Sequence, residues 1–91
     1  MKGRRTNYEI YWEILVFCWK PKTFTSIINR CDLNSKIGQE HVHFLTEKNY
    51  LLLQIQDDKK TYITTEQAQE YITLFTQLYR KMFDNSPSFK L

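Results

Sequence analysis

Glycine is almost missing from this chain, which has only Gly3 and Gly38 in 91 residues. A phosphate-cradling loop needs clustered glycines so that backbone N–H groups can converge on the anion, and no such loop can form here. Proline is as scarce, and Pro21 and Pro87 stand where helices are expected to stop, as punctuation rather than as a linker. Two cysteines, Cys18 and Cys31, are too few for a disulfide framework and are expected to be reduced thiols. The longest apolar run, "ILVFCW" at 14 to 19, is far too short to cross a bilayer, and no small-residue cleavage site follows it. The expectation is a soluble, cytoplasmic protein without a membrane partner.

Catalytic and metal patterns are missing too. No nucleophile is followed by an evident base and orienter, so no enzyme is expected, and no cofactor or small-molecule ligand is implied. The stretch "CDLNSKIGQEHVHF" brings Cys31, His41 and His43 within a dozen positions, which invites a metal reading. Its helical part sets the two histidines roughly 160–200° apart around the axis, so they cannot share an ion within one protomer. No metal site is expected. Cys18, Cys31 and His41 should pack inside, with His41 finding a backbone partner.

What is present belongs to a folded domain: 42% hydrophobic and 15% aromatic residues against 25% charged. A chain this short buries only about 60–65% of its unfolded surface, so one domain that needs a partner is expected. Charge is uneven. Residues 1 to 36 hold seven basic groups against three acidic ones, whereas residues 37 to 91 hold six against seven. The basic bias in the first third favours an anionic partner.

Periodicity predicts a first helix over 7 to 19, with Thr6 or Asn7 as N-cap and Trp12 and Trp19 as packing anchors on one side. A short second helix follows over "TSIINRC", with Ile27 and Ile28 facing inward. "DLN" makes a turn, and Asn34 caps a third helix from Ser35 to Lys48, beyond which Asn49 suits a left-handed position. Its inner side holds Ile37, Gly38, His41, Val42, Phe44 and Leu45, its outer side Lys36, Gln39, Glu40, His43 and Glu47. "YLLLQIQ" and "TYI" read as strands around a "DDKK" turn. A long last helix then runs to about Phe83, opened by a capping box of Thr64 and Gln67. In it Ala68, Ile72, Phe75, Tyr79 and Met82 recur at spacings of four, three, four and three, a coiled-coil seam flanked by Tyr71, Leu74 and Leu78. A small domain cannot cover all of that seam, and helix 1 also needs cover on both sides. A homodimer through the last helix is therefore expected.

The order helix, helix, turn, helix, hairpin, helix is that of a winged-helix domain, mostly α with a small β-hairpin (α+β). The stretches "RRTNYEIYWEIL", "TSIINRCDLNSKIGQEHVHFLTEKNYL" and "YITTEQAQEYI" resemble the small archaeal winged-helix DNA-binding proteins that dimerise through a C-terminal antiparallel coiled coil. The short matches are Thr25, Ile27 and Leu33 around the turn, Leu45, Glu47 and Lys48 at the end of the third helix, and Thr65, Glu66 and Tyr71 opening the last. Two positions depart from the family pattern: Gly38 replaces a larger apolar residue, which should loosen the third helix, and Asn49 replaces a glycine.

The resemblance implies a transcriptional regulator or chromatin-associated protein that binds double-stranded DNA as a homodimer. Residues 1–6 would be a basic N-terminal arm, 7–64 the winged helix, 65–84 the dimerisation helix and 85–91 a flexible tail. DNA-binding candidates are Arg4, Arg5, Thr25, Ser35, Lys36, Gln39, His43, Lys59 and Lys60. Interface candidates are Ala68, Tyr71, Ile72, Phe75, Leu78, Tyr79 and Met82. Read without the resemblance, the third helix presents either a groove-reading face or an ordinary solvated one, and Glu40 and Glu47 favour the second. The alternative function is a protein–protein interaction module that uses the winged helix as scaffold.

Overall fold

The computed structural model describes residues 5–83, so Arg4 and the expected tail at 85–91 lie outside the described residues. Helix α1 (Asn7–Phe17) starts where the Thr6 hydroxyl accepts the Glu9 N–H at 3.1 Å. Thr23 opens α2 (Phe24–Arg30) by accepting from the Ser26 N–H at 3.2 Å, and Asn34 opens α3 (Ser35–Glu47) by accepting from Ile37 at 2.8 Å. Asp32, with φ of 59°, and Asn49, with φ of 66°, turn the chain out of α2 and α3 through the left-handed region that short polar residues tolerate.

Strands β1 (Leu51–Gln56) and β2 (Lys59–Thr64) pair antiparallel, with Leu51 opposite Thr64 and Gln56 opposite Lys59. The turn is only Asp57 and Asp58, both at positive φ (50° and 64°), the backbone that lets a two-residue loop follow the strand twist. Lys59 and Lys60 therefore begin β2 instead of forming part of the turn. Lys22 and Tyr62 exchange backbone hydrogen bonds of 3.0 and 2.7 Å, which attaches the α1–α2 connection to the free edge of β2.

A single 3-10 turn (Glu66–Ala68) leads into α4 (Gln69–Phe83). The expected capping box does not form. Tertiary acceptors take both hydroxyls instead: Thr64 donates to the Leu15 carbonyl and Thr65 to the Asn49 carbonyl, each at 2.6 Å. These two bonds fasten the end of the hairpin to α1 and to the end of α3.

The core joins Ile10, Ile14, Leu15 and Cys18 of the α1 segment to Ile27, Cys31, Val42, Leu45, Leu51 and Ala68. Each fully buried Ile or Leu contributes about 1.5–3 kcal/mol. Ala68, expected in the dimer seam, is wholly inside this core, so it faces its own domain. Helix α4 covers the other side of α1: the Trp12 indole N–H donates to Thr76 Oγ1 at 3.0 Å, and its ring lies 5.3 Å from Phe75 and 5.1 Å from Tyr79. Trp19 is no anchor, being 68% exposed, because α1 has ended at Phe17 and the helical wheel no longer places it.

Gly38 proves to be a contact point. A Cβ there would collide with Ile28 Cγ2 and touch the Phe24 ring, so the missing side chain is what lets α2 and α3 meet. That contact offsets the roughly 1 kcal/mol a helical glycine costs, and the loosening expected from the sequence is replaced by close packing.

His41 is buried as expected, but its ring stands edge-on to Tyr11 at 5.2 Å, and no backbone hydrogen bond to it is found among the described residues. Burial pushes its pKa below the ordinary 6.5, with Glu40 opposing more weakly. The folded state thus holds a neutral imidazole that the unfolded chain protonates. The stability this confers is complete above about pH 6.5 and declines as pH falls below it. In urea, the unfolding midpoint should drop between about pH 7.5 and pH 5.5, and His41→Phe should reduce that drop. An equal drop in the variant would show that another group carries it.

Candidate nucleic-acid interface

Helix α3 separates most of its residues as expected, except that Ile37 and Phe44, expected on the inner side, are 36% and 41% exposed. Gly38, His41, Val42 and Leu45 face the core, while Ser35, Lys36, Gln39 and His43 are all exposed on the opposite side. The structure brings these four candidates onto one face, and Glu40 and Glu47 share it. His43 Nε2 lies 3.7 Å from Glu47 Oε2, an exposed pair one turn apart. Thr25 is exposed in the first turn of α2. Between α3 and the hairpin runs an open groove of about 690 Å³, with Gln39, Glu40 and His43 on one wall and Leu53 and Tyr62 on the other. Leu53 and Tyr62 are cross-strand partners, so strand alternation points both toward α3.

The basic groups are more dispersed. Lys59 and Lys60 are exposed beside Asp57 and Asp58, whose charges offset theirs locally. Arg5 departs from the expected free arm. Its guanidinium pairs with Glu13 and donates to the carbonyls of Cys31 at 2.7 Å and Asp32 at 3.4 Å. The planar fork finds a carboxylate and the carbonyl-rich end of α2 together, so Arg5 clamps α1 to α2 and is 16% exposed. The sequence gives no warning of another pair: Lys22 Nζ lies 4.7 Å and the Arg30 guanidinium 5.8 Å from the centre of the Phe17 ring. The contact spans 13 residues, and only the local "KPK" marks its start. Burial pushes the thiols of Cys18 and Cys31 up to about 12 and about 11, which leaves both protonated and poor as nucleophiles or ligands.

A two-helix turn with an exposed second helix beside a hairpin is a fold-level pattern, and the sequence decides the matter. The sequence model of the winged helix-turn-helix family matches residues 4–83. The chain belongs to that family. Among solved structures, this winged helix-turn-helix protein is similar to Sso10a-2, a DNA-binding protein from Sulfolobus solfataricus. The TM-score is 0.74 at 23% identity, over 86% of this chain and 81% of that one. It is also similar to F93 from STIV, a winged-helix DNA-binding protein, at TM-score 0.70 and 19% identity over 92% and 98% of the two chains. At these identities the likeness establishes the fold. No curated protein matches the sequence. In winged helix-turn-helix terms α2 and α3 form the two-helix motif and the β1–β2 hairpin is the wing.

The same winged helix-turn-helix protein has a second exposed surface on α4. Leu74, Leu78 and Met82 are 57%, 53% and 46% exposed. Ile72, Phe75 and Tyr79 are half-buried, the last two against Trp12. An apolar groove of about 360 Å³ opens between Tyr8 on α1 and Tyr71, Leu78 and Met82 on α4. The Tyr71 hydroxyl donates to the Tyr8 carbonyl, and burial pushes its pKa up to about 12, so it stays a donor at any physiological pH. Of the residues expected in the seam, Tyr71, Phe75, Leu78, Tyr79 and Met82 line this open groove. Among the described residues, no helix is long and apolar enough to cross a membrane.

Proposed function

We propose that this protein binds double-stranded DNA as a homodimer and acts as a transcriptional regulator or chromatin-associated protein. The observation that carries the reading is the outer face of α3, where Ser35, Lys36, Gln39 and His43 stand together and exposed beside the wing. Gln pairs bidentately with adenine, Lys donates to guanine, and Ser reaches a base or phosphate. Lys59 and Lys60 on the wing, Thr25 at the start of α2 and Arg4 in the arm would position the protein by phosphate contacts. Arg5, with its donors already engaged, is left out of that set. The names of the two similar structures, each a DNA-binding protein, support the same reading. The dimer would form along α4, where Leu74, Leu78 and Met82 are uncovered in one protomer.

Anisotropy of a labelled random duplex tests this. A dimer that neutralises about six phosphates should bind with a log–log salt slope near −5. Lys59→Ala with Lys60→Ala should flatten the slope alike on every sequence. No binding at about 50 mM salt would remove the DNA reading and leave the fold as a scaffold for a protein partner, which the excess of Glu40 and Glu47 over Lys36 on the α3 face would suit.

A further inference from the structure

Glu40 stands beside Gln39 and His43 on the α3 wall of the groove, and among the described residues no cation pairs with it. Glu47 has His43 for company at 3.7 Å, whereas Glu40 forms no ion pair among the described residues and has only a weak charge interaction with the buried His41. With one lysine, Lys36, against two glutamates, the face as a whole repels phosphate. Such a helix gains little from the backbone of the duplex.

When α3 lies in the major groove, as the DNA-binding reading above requires, Glu40 gives up water and needs a donor in exchange. A carboxylate only accepts hydrogen bonds. The major groove offers donors only at the exocyclic amines of cytosine and adenine; guanine and thymine present acceptors. Adenine sets its N7 acceptor beside the amine, where it opposes the second carboxylate oxygen, whereas cytosine shows the amine alone. From this we infer that Glu40 is a specificity-determining residue that reads the amino group of a cytosine and rejects a keto base at that position. Lys36 lies one turn earlier on the same face, and guanine, the partner base of that cytosine, is what lysine reads best. The same charge that selects cytosine also weakens binding to sequences that lack it. Discrimination is thus gained at the expense of non-specific affinity.

The test begins with enrichment from a randomised duplex pool by the wild-type protein, followed by anisotropy titrations on the selected duplex and on versions with each conserved C·G pair changed to T·A. An invariant cytosine is expected, and changing its pair should weaken wild-type binding roughly 5- to 150-fold. Glu40→Gln, whose amide both accepts and donates, should shrink that penalty to within about threefold, and should bind random duplex more tightly than wild type. Glu40 is exposed on a helix, and coincident circular dichroism melts would show that the variant folds. A selected site without an invariant cytosine, or a penalty unchanged in Glu40→Gln, overturns the inference while leaving DNA binding intact. Failure of the wild type to retain any duplex at low salt overturns the DNA-binding reading itself, and the role of Glu40 with it.

Discussion

Leu78→Glu is expected to leave a folded monomer whose affinity for duplex DNA is about 10²–10⁴-fold below that of the wild type. Leu78 is 53% exposed in the protomer, so a carboxylate there stays in water when the chain stands alone. In a dimer joined along α4 the same position would be buried, and a charge without a partner costs several kcal/mol at such a place. Two linked DNA-binding surfaces act with a high effective concentration that a single one lacks, which sets the size of the affinity loss. Light scattering at micromolar concentration should give twice the 11.1 kDa chain mass for the wild type and one chain mass for the variant. Phe75→Glu, the substitution that the seam pattern alone would pick, is a poorer choice because the Phe75 ring lies 5.3 Å from Trp12 in its own protomer. A wild-type mass of one chain, or a Leu78→Glu protein that keeps its dimer mass, would rule out α4 as the interface.

The largest loss of stability should come from Trp12→Ala, at about 3–5 kcal/mol. Trp12 holds α4 against α1 in two ways, by stacking near Phe75 and Tyr79 and by its N–H bond to Thr76 at 3.0 Å. Removing it opens a space that neighbouring side chains fill only in part. Domains of this size have roughly 5–15 kcal/mol in all, so the variant should sit near its unfolding midpoint in mild urea. Trp12→Phe keeps a ring and loses the hydrogen bond, and should cost about 1 kcal/mol from that source, with any volume loss in addition. Trp19→Ala, at a 68% exposed site, should stay within about 0.5 kcal/mol of wild type. Equal costs at the two positions would mean that α1 and α4 are not held together through Trp12.

Local chemistry made most of the fold legible. The caps Thr6 and Asn34, the left-handed Asn49 and the Gly38, His41, Val42 and Leu45 part of the inward face of α3 all depend on residues within one or two turns, and each appears where its pattern placed it, whereas Ile37 and Phe44, at the margin of that face, are left exposed. What stayed hidden depends on distance along the chain. Thr64 looked like a helix cap until the Leu15 carbonyl, 49 residues away, took its hydroxyl. Arg5 looked like part of an arm until its donors met Glu13 and the carbonyl of Cys31, 26 residues on. Gly38 looked like a flaw because only the approach of α2 explains it. The α3 surface was readable as a set of residues, since helical period alone sorts inner from outer. The role of its acidic members was not, because a glutamate on a wheel says nothing about which groups answer it. Lys59 and Lys60 shifted from turn to strand because both aspartates adopt positive φ, which composition favours only weakly.

The unlike settings of the two tryptophans give the protein a built-in optical assay. Trp12, half-buried against two aromatic rings, should emit toward shorter wavelengths and be less open to dissolved quenchers than Trp19, which emits as an indole in water. Acrylamide would therefore extinguish Trp19 first and leave a signal that reports on one joint, the seat of α4 against α1. Any ligand, salt or partner that loosened that joint would announce itself as a red shift, with no label attached and no residue changed.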